Sequence, residues 1–439
     1  MFSYYLDLAF RSLKRSPWLT ALMVLSIGIG VALAMSTWML VHLMERDPIP
    51  QKSAKLFFPT IDAWGPAARG KATNGDEPPD LLDYATAEAL LRDHRATYQT
   101  AIYDIKPIVT PSRLGEYPFR VWAYAVTDEF FPMVDVPFKY GSGWNAAAEA
   151  DAAQVAVITA RLSQRLFGSV DSVGRTLTVA GRPYRVIGVM DNWNPQPVFF
   201  DIDGVQGLDG FATHPTELYL PFSTAVAAGM DADTTVGCLK APANTSFASF
   251  LHSNCAWISY MVQLDTPAAA LQYQDYLQDF ARQRFSWPPN IRLRDLMAWL
   301  AYQQVVPSGF KVLRLVGAGL LIVCLADTIG LMLAKFMRRA PEIGVRRALG
   351  ASRWAIYAQF LTEAGVIGLA GGVLGCLLTW LAMAWMRAKN PGQWGPLTHL
   401  DAGSLALTLV VAVVATLLAA LYPVWRAAHV QPAWQIKSN

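Results

Sequence analysis

From Leu325 to Gly375 the chain reads LADTIGLMLAKFMRRAPEIGVRRALGASRWAIYAQFLTEAGVIGLAGGVLG. An apolar run closes, a basic island follows, and a second apolar run opens. The island gathers Lys335, Arg338, Arg339, Arg346, Arg347 and Arg353. Pro341 suits the first turn of a helix, where its missing N–H costs nothing. Glu342 stands four residues before Arg346, the favourable order for an acid–base pair on one helix face. Ile343 and Arg347 share a neighbouring strip, and Gly350 can end the helix in a left-handed cap. The expectation is a short basic helix held between two membrane spans. Positive charge in short loops stays cytoplasmic, so this helix is expected inside the cell.

Working outward, a spanning helix needs about 20 apolar residues. The run SPWLTALMVLSIGIGVALAMSTWMLVHLM, between Arg15 and Glu45, satisfies that. It is too long for the apolar core of a signal peptide, although Ala32-Leu33-Ala34 resembles a cleavage site. The later runs place spans at 309–334, 354–386 and 402–425. Hydrophobic residues make up 53% of the chain and charged residues 16%, against about 25% charged in an ordinary soluble domain. That excludes disorder and disfavours a wholly soluble protein, and a net charge of +3 gives no case for a nucleic-acid partner.

The expected architecture is an α-helical four-span membrane domain, one span before and three after a large α+β domain. Residues 1–16 read as a cytoplasmic amphipathic helix, with Phe2, Leu6, Ala9, Phe10 and Leu13 opposite Asp7, Arg11, Lys14 and Arg15. It is expected on the inner leaflet of the bilayer. Span 1 covers 17–44, the outer domain 45–308, span 2 309–334, the basic island 335–353, span 3 354–386, an outer loop 387–401, span 4 402–425 and a cytoplasmic tail 426–439. Arg387 and Lys389 in the outer loop oppose this orientation and are outvoted.

Within 45–308 the pattern alternates between short strands and helices. QVAVIT (Gln154 to Thr159) reads as a strand, ARLSQRLF (Ala160 to Phe167) as an amphipathic helix, and Arg175 to Met190 as two strands joined at Ala180-Gly181-Arg182-Pro183. ELYLPF and WISYMVQL read as further strands. Leu271, Tyr276, Leu277 and Phe280 recur at helical spacing between Pro267 and Phe285. A second helix is expected from about Ile291, running toward the membrane as a stalk, with Pro307 able to kink the join. Cys238 and Cys255 can pair in an oxidising exterior or remain two buried thiols. Cys324 and Cys376 read as small packing residues in spans.

No catalytic pattern emerges. Gly65 to Ala72 approaches a phosphate-binding loop, but Ala72 stands where a hydroxyl must reach magnesium. It reads as a surface turn. The six histidines form no pair at metal-ligand spacing. No catalytic, cofactor or metal residues are expected, so any energy source must lie in a partner. In the spans, Gly368 with Gly372, and Gly371 with Gly375, allow close helix approach. Glu363, about two turns inside span 3, is expected to snorkel to the cytoplasmic surface. Asp327 within span 2 is a costly carboxylate, expected at a dimer interface, protonated or paired with Thr328 or the partner chain.

The stretch Arg338-Arg339-Ala340-Pro341-Glu342-Ile343-Gly344-Val345-Arg346-Arg347-Ala348-Leu349-Gly350-Ala351 resembles the signature of FtsX-like, MacB-type ABC transporter permeases. The likeness continues through Gln359-Phe360-Leu361-Thr362-Glu363-Ala364 and the glycine-rich third span. In the outer domain, Val126-Thr127-Asp128-Glu129-Phe130-Phe131, Arg165-Leu166-Phe167-Gly168, Val173 to Leu177 and Gly181 to Val189 resemble the family's periplasmic core domain. The resemblance implies a non-catalytic, stand-alone permease subunit of the bacterial inner membrane, with both termini cytoplasmic. It implies partners: a cytoplasmic MacB-type ATPase that binds ATP and magnesium, a second permease copy or paralogue, and a periplasmic adaptor (membrane fusion) protein. Arg338, Arg339, Glu342, Ile343, Arg346, Arg347 and Gly350 would form the ATPase-coupling element. Coupling would be by mechanotransmission, with substrate exported from the periplasm. The alternative is an FtsX-like signalling subunit that controls a periplasmic hydrolase or senses a ligand. Relatives usually carry Asn near position 327, where this chain has Asp327.

Overall fold

The structure is a computed structural model and describes residues 2–70, 73–111, 115–191, 193–202, 215–233, 236–389 and 402–429. Lys71 and Ala72 of the loop-like motif, most of the expected outer loop and most of the tail lie outside the described residues. The chain divides into two units, Met1–Glu45 with Pro307–Asn439, and Arg46–Val306.

In the first unit, α1 (Phe2–Arg15) precedes α2 (Pro17–Met44). After the second unit come α11 (Ser308–Met337), α12 (Ala340–Ala348), α13 (Arg353–Lys389) and α14 (Ala402–Ala428). Four of these, α2, α11, α13 and α14, are long and apolar enough to cross a membrane. Their exposed faces carry Leu22, Leu25, Ile29, Val323, Leu377 and Val414, side chains suited to hydrocarbon.

Close packing in this bundle depends on glycine. A Cβ on Gly371 would lie 2.7 Å from Ile27, and one on Gly375 3.2 Å from Val31, both on α2. A Cβ on Gly368 would meet Thr416 at 3.0 Å and one on Gly372 would meet Leu409 at 2.8 Å, both on α14. The two small-residue pairs thus serve two different neighbours within one chain.

The second unit is built on a twelve-stranded mixed sheet. Its strands are β1 (Leu56–Ile61), β2 (Tyr98–Ile105), β3 (Ile108–Thr110), β4 (Phe119–Arg120), β5 (Ala123–Val126), β6 (Phe138–Gly141), β7 (Val155–Thr159), β8 (Thr176–Val179), β9 (Arg182–Met190), β10 (Leu218–Pro221), β11 (Ser259–Gln263) and β12 (Ile291–Asp295). The order is β12-β1-β11-β2-β5-β10-β7-β9-β8-β3-β4, with β6 also on β9. Among the described residues, only β5–β10 and β7–β9 are parallel. Helices α3 (Tyr84–Asp93), α4 (Phe130–Met133), α5 (Ala146–Ala150), α6 (Ala160–Phe167), α7 (Phe222–Ala227), α8 (Phe247–Leu251) and α9 (Pro267–Arg284) lie between the strands in the chain, and α10 (Leu296–Tyr302) follows the last of them.

Local chemistry explains the joints. Thr159 caps α6 by accepting the Leu162 N–H, and Gly168 ends it at φ +70°. The β8–β9 hairpin turns on Ala180 and Gly181, both at positive φ, in the two-residue geometry that matches strand twist. Strands β5, β10 and β11 are buried along their whole length. The core centres on Tyr103, which stands edge-on to Trp257 at 4.8 Å and to Phe222 at 5.5 Å. Cys238 and Cys255 are joined as a disulfide. The flanking Gly237 and Ala256 exchange backbone hydrogen bonds of 3.0 and 2.7 Å, which hold the two cysteines side by side.

One expected element is different. Ile291–Asp295 is not the start of a stalk helix but an edge strand, antiparallel to β1 from Phe57 to Ile61. The alternating order of IRLRD suits a strand, and β1 offers it a free edge. The helix that follows, α10, is only seven residues long, and Pro307 caps the separate helix α11.

Candidate coupling site

The basic island forms the helix α12, with Pro341 in its first turn and Gly350 beyond its end at φ +96°. Its inner face buries Ala340, Ile343 and Gly344, and Ile343 joins the apolar core of the bundle. Arg347 donates to the Ala428 carbonyl of α14 at 3.2 Å. Arg338 is exposed at the turn into the helix.

Two charges find partners other than those expected. Glu342 and Arg346 do not pair with each other. Glu342 takes Arg15 of α1, and Arg346 donates to Gln359 of α13 at 3.0 Å. An isolated helix offers only the i,i+4 neighbour, whereas the folded unit brings in two more helices. Ser12 on α1 receives Arg339, so α1 is tied to the start of α12 through both Ser12 and Arg15. Leu13 of α1 packs against the bundle core. Asp7 and Arg11 pair on the solvent side at 2.8 Å.

Glu363 overturns its expected placement. It does not reach the surface: its side chain is 0% exposed, sealed inside the bundle. One carboxylate oxygen contacts Lys335 of α11, itself 3% exposed, and the other lies 3.6 Å from Arg339. Neither oxygen receives a well-aligned hydrogen bond, so the cluster is held by charge. Lys335 also donates to Thr20 of α2 at 3.4 Å. The buried carboxylate thereby collects a residue before α12, a residue at its entry and a helix on either side. A carboxylate buried among apolar helices is tolerated only with such counter-charges.

The outer face of α12 carries a feature that motif reading passed over. Glu342, Val345, Arg346 and Leu349 follow one another at i, i+3, i+4 and i+7, on one stripe. Val345 is 59% exposed and Leu349 84% exposed. The signal was present in the sequence, as apolar residues on the face opposite Ile343.

Asp327 is exposed on α11, with no ion pair among the described residues. Thr328 does not pair with it. The Thr328 hydroxyl instead donates to the Cys324 carbonyl of its own helix at 2.8 Å.

Family models match most of the chain. The model for the MacB-like periplasmic core domain covers residues 20–280, more than half of the chain, and that for the FtsX-like permease C-terminal region covers 314–432. The chain belongs to the MacB/FtsX permease family. Among its MacB relatives are the macrolide export ATP-binding/permease proteins of Salmonella paratyphi A, 25% identical over 281 residues, and of Marinobacter nauticus, 26% identical over 306. Those alignments cover 64% and 69% of this chain but 38% and 41% of the relatives, so the chain spans about two fifths of their length. The uncharacterized ABC transporter permease YvrN of Bacillus subtilis is 24% identical over 259 residues, covering 58% of this chain and 56% of YvrN. The crystal structure of the periplasmic region of MacB from Actinobacillus actinomycetemcomitans overlaps 59% of this chain and 96% of its own, at 13% identity and a TM-score of 0.37. In this MacB/FtsX permease the family's C-terminal region contains α12 and Glu363, and its core-domain region contains strands β1 to β11 of the sheet.

Proposed function

We propose that this chain is the permease subunit of an ABC transporter of the bacterial inner membrane, and that α12 is the element through which a separate cytoplasmic ATPase drives it. The carrying observation is the stripe of Glu342, Val345, Arg346 and Leu349, which exposes two apolar side chains alternating with an acid and a base. Exposed apolar side chains grouped on one face and rimmed by polar residues suit a protein contact. On the other face, Ile343 and the Glu363 cluster fasten α12 to α11 and α13, so a push on the stripe reaches the spans. Helices α2 and α11 continue directly in the chain into the Arg46–Val306 unit. The motion would pass along them to export substrate from the periplasm, with help from an adaptor protein. ATP and magnesium would bind in the partner.

Membership of an ABC permease family supports this reading, as does the positive charge around α12, which favours the cytoplasmic side. We also assign the exposed face of α11 to a second permease copy. It is the least covered of the four spans, and it presents Asp327 where lipid could not solvate a carboxylate.

Two measurements on the full chain test this. In a Cys324→Ser/Cys376→Ala background, Leu349→Cys in intact cells should resist a membrane-impermeant thiol reagent and react once the membrane is opened. Labelling in intact cells would place α12 outside and end the proposal. In the same background, Asp327→Cys should cross-link two chains, and monomers alone would remove the dimer assignment.

A further inference from the structure

The Val126–Phe131 stretch plays no part in coupling, yet it builds one wall of a cleft of about 550 Å³ within the Arg46–Val306 unit. Four aromatic side chains, Tyr98, Phe131, Phe138 and Trp144, line it. Phe131, Phe138 and Trp144 pack against one another. Phe131 stands edge-on to Trp144 at 4.7 Å and tilted against Phe138 at 5.5 Å. Trp144 donates its indole N–H to Glu149 at 2.8 Å, which pins the ring. Gly143 permits this packing, because a Cβ there would fall 2.4 Å from the Phe131 ring.

The cleft also holds three carboxylates, and their partners differ. Asp135 is matched by Lys52 at 2.7 Å. Glu129 has both oxygens engaged, one by His94 Nε2 at 2.9 Å and the other by the Gln99 backbone N–H at 2.7 Å. His94, which Glu129 already holds, is the group that could set a positive charge beside Asp128. No cationic side chain pairs with Asp128 among the described residues. Burial first, and then the charge of Glu129, hold its carboxyl above the usual range. The cleft therefore offers a carboxylate without an ion pair beside an aromatic wall. Aromatic faces attract cations, and more strongly where water is excluded. Pockets of this volume suit a ligand with an apolar body and a single orienting polar group.

We propose that this cleft binds an organic cation, with an ammonium or guanidinium group beside Asp128 and an apolar body against the aromatic walls. The site stands on the outer unit alone and does not depend on how α12 works. The same chemistry reaches the cleft as a free small molecule or as a basic side chain of a protein partner, and two probes separate these sources.

The test is calorimetric titration of the full chain in lipid nanodiscs with benzyltrimethylammonium, and separately with acetyl-Phe-Arg-amide. Saturable binding of one probe per chain is expected. Asp128→Asn should weaken it at least tenfold, and Asp279→Asn, an exposed carboxylate on α9, should leave it unchanged. Trp144→Leu, which keeps the charge and removes an aromatic wall, should weaken it as well. Preference for the ammonium assigns the site to free cations, and preference for the peptide assigns it to a protein partner. Absence of saturable binding by either probe, or equal affinity in an Asp128→Asn chain of wild-type thermal unfolding, overturns the proposal.

Discussion

Lys335 on α11 and Glu363 on α13 form a charge pair sealed from solvent, and Arg339 closes it from the entry to α12. Through Arg339 the cluster ties the entry of the basic helix to α13. Such an arrangement contributes little net stability, because desolvating both charges offsets their attraction. What it provides is a penalty for separation: neither charge can leave without stranding the other.

Glu363→Leu should therefore cost about 3–5 kcal/mol, the usual effect of breaking a buried pair from one side. Lys335→Met/Glu363→Leu, which removes both charges and keeps the volume, should recover most of that loss. Thermal unfolding of the four members of the cycle in detergent measures it. Additive losses would show that the two side chains do not interact.

Gly371→Ala should destabilise the bundle by about 1–3 kcal/mol, as overpacking of a tight interface does. The added methyl meets Ile27 at 2.7 Å, on a β-branched side chain that has little room to turn. Gly365→Ala in the same helix is the control, since its methyl meets Leu417 at an ordinary 3.9 Å. It should leave stability unchanged or improve it through helix propensity. Equal effects of the two substitutions would refute the close contact of α13 with α2.

Asp104 on β2 makes the outer unit sensitive to pH. Burial first, and then the nearby Asp201 and Asp233, push its carboxyl up to about 7. Lys106 works in the opposite direction but is occupied by Asp233, and Tyr124 donates to Asp201 at 2.6 Å. A folded-state value raised above the unfolded one favours folding while the group is protonated. That stability is complete below about 4, the ordinary carboxylate value, and is lost as pH rises through about 7. Melting of the outer unit should fall across that window, and Asp104→Asn should flatten the fall. A wild-type melting curve rising with pH over the same range would contradict this.

The sequence displays the four spans openly, because runs of apolar residues this long have no other stable place. It displays α12 as well, through Pro341 at the start and Gly350 at the end. The ends of helices are chemical, and chemistry is local. Glu363 misled because its counter-charges, Lys335 and Arg339, lie far along the chain on other elements, and only packing brings them together. The pairing of Glu342 with Arg15 was hidden for the same reason. Ile291–Asp295 misled differently: five residues carry too little periodicity to separate strand from helix until the free edge of β1 is known. The cleft around Asp128 was invisible because only packing brings Tyr98 on β2 against the rings of the 131–144 segment.

The central claim is that α12 takes force from an ATPase through its outer stripe. The direct measurement is ATP hydrolysis by the ABC ATPase that copurifies with the full chain, reconstituted in nanodiscs with wild type, Leu349→Asp and Val345→Asp. Both sites are exposed, so unfolding should shift by no more than about 0.5 kcal/mol. Copurification and permease-stimulated hydrolysis should be lost in both variants. Stimulation equal to wild type in both, or a fully active assembly with no ATPase bound, would contradict the claim.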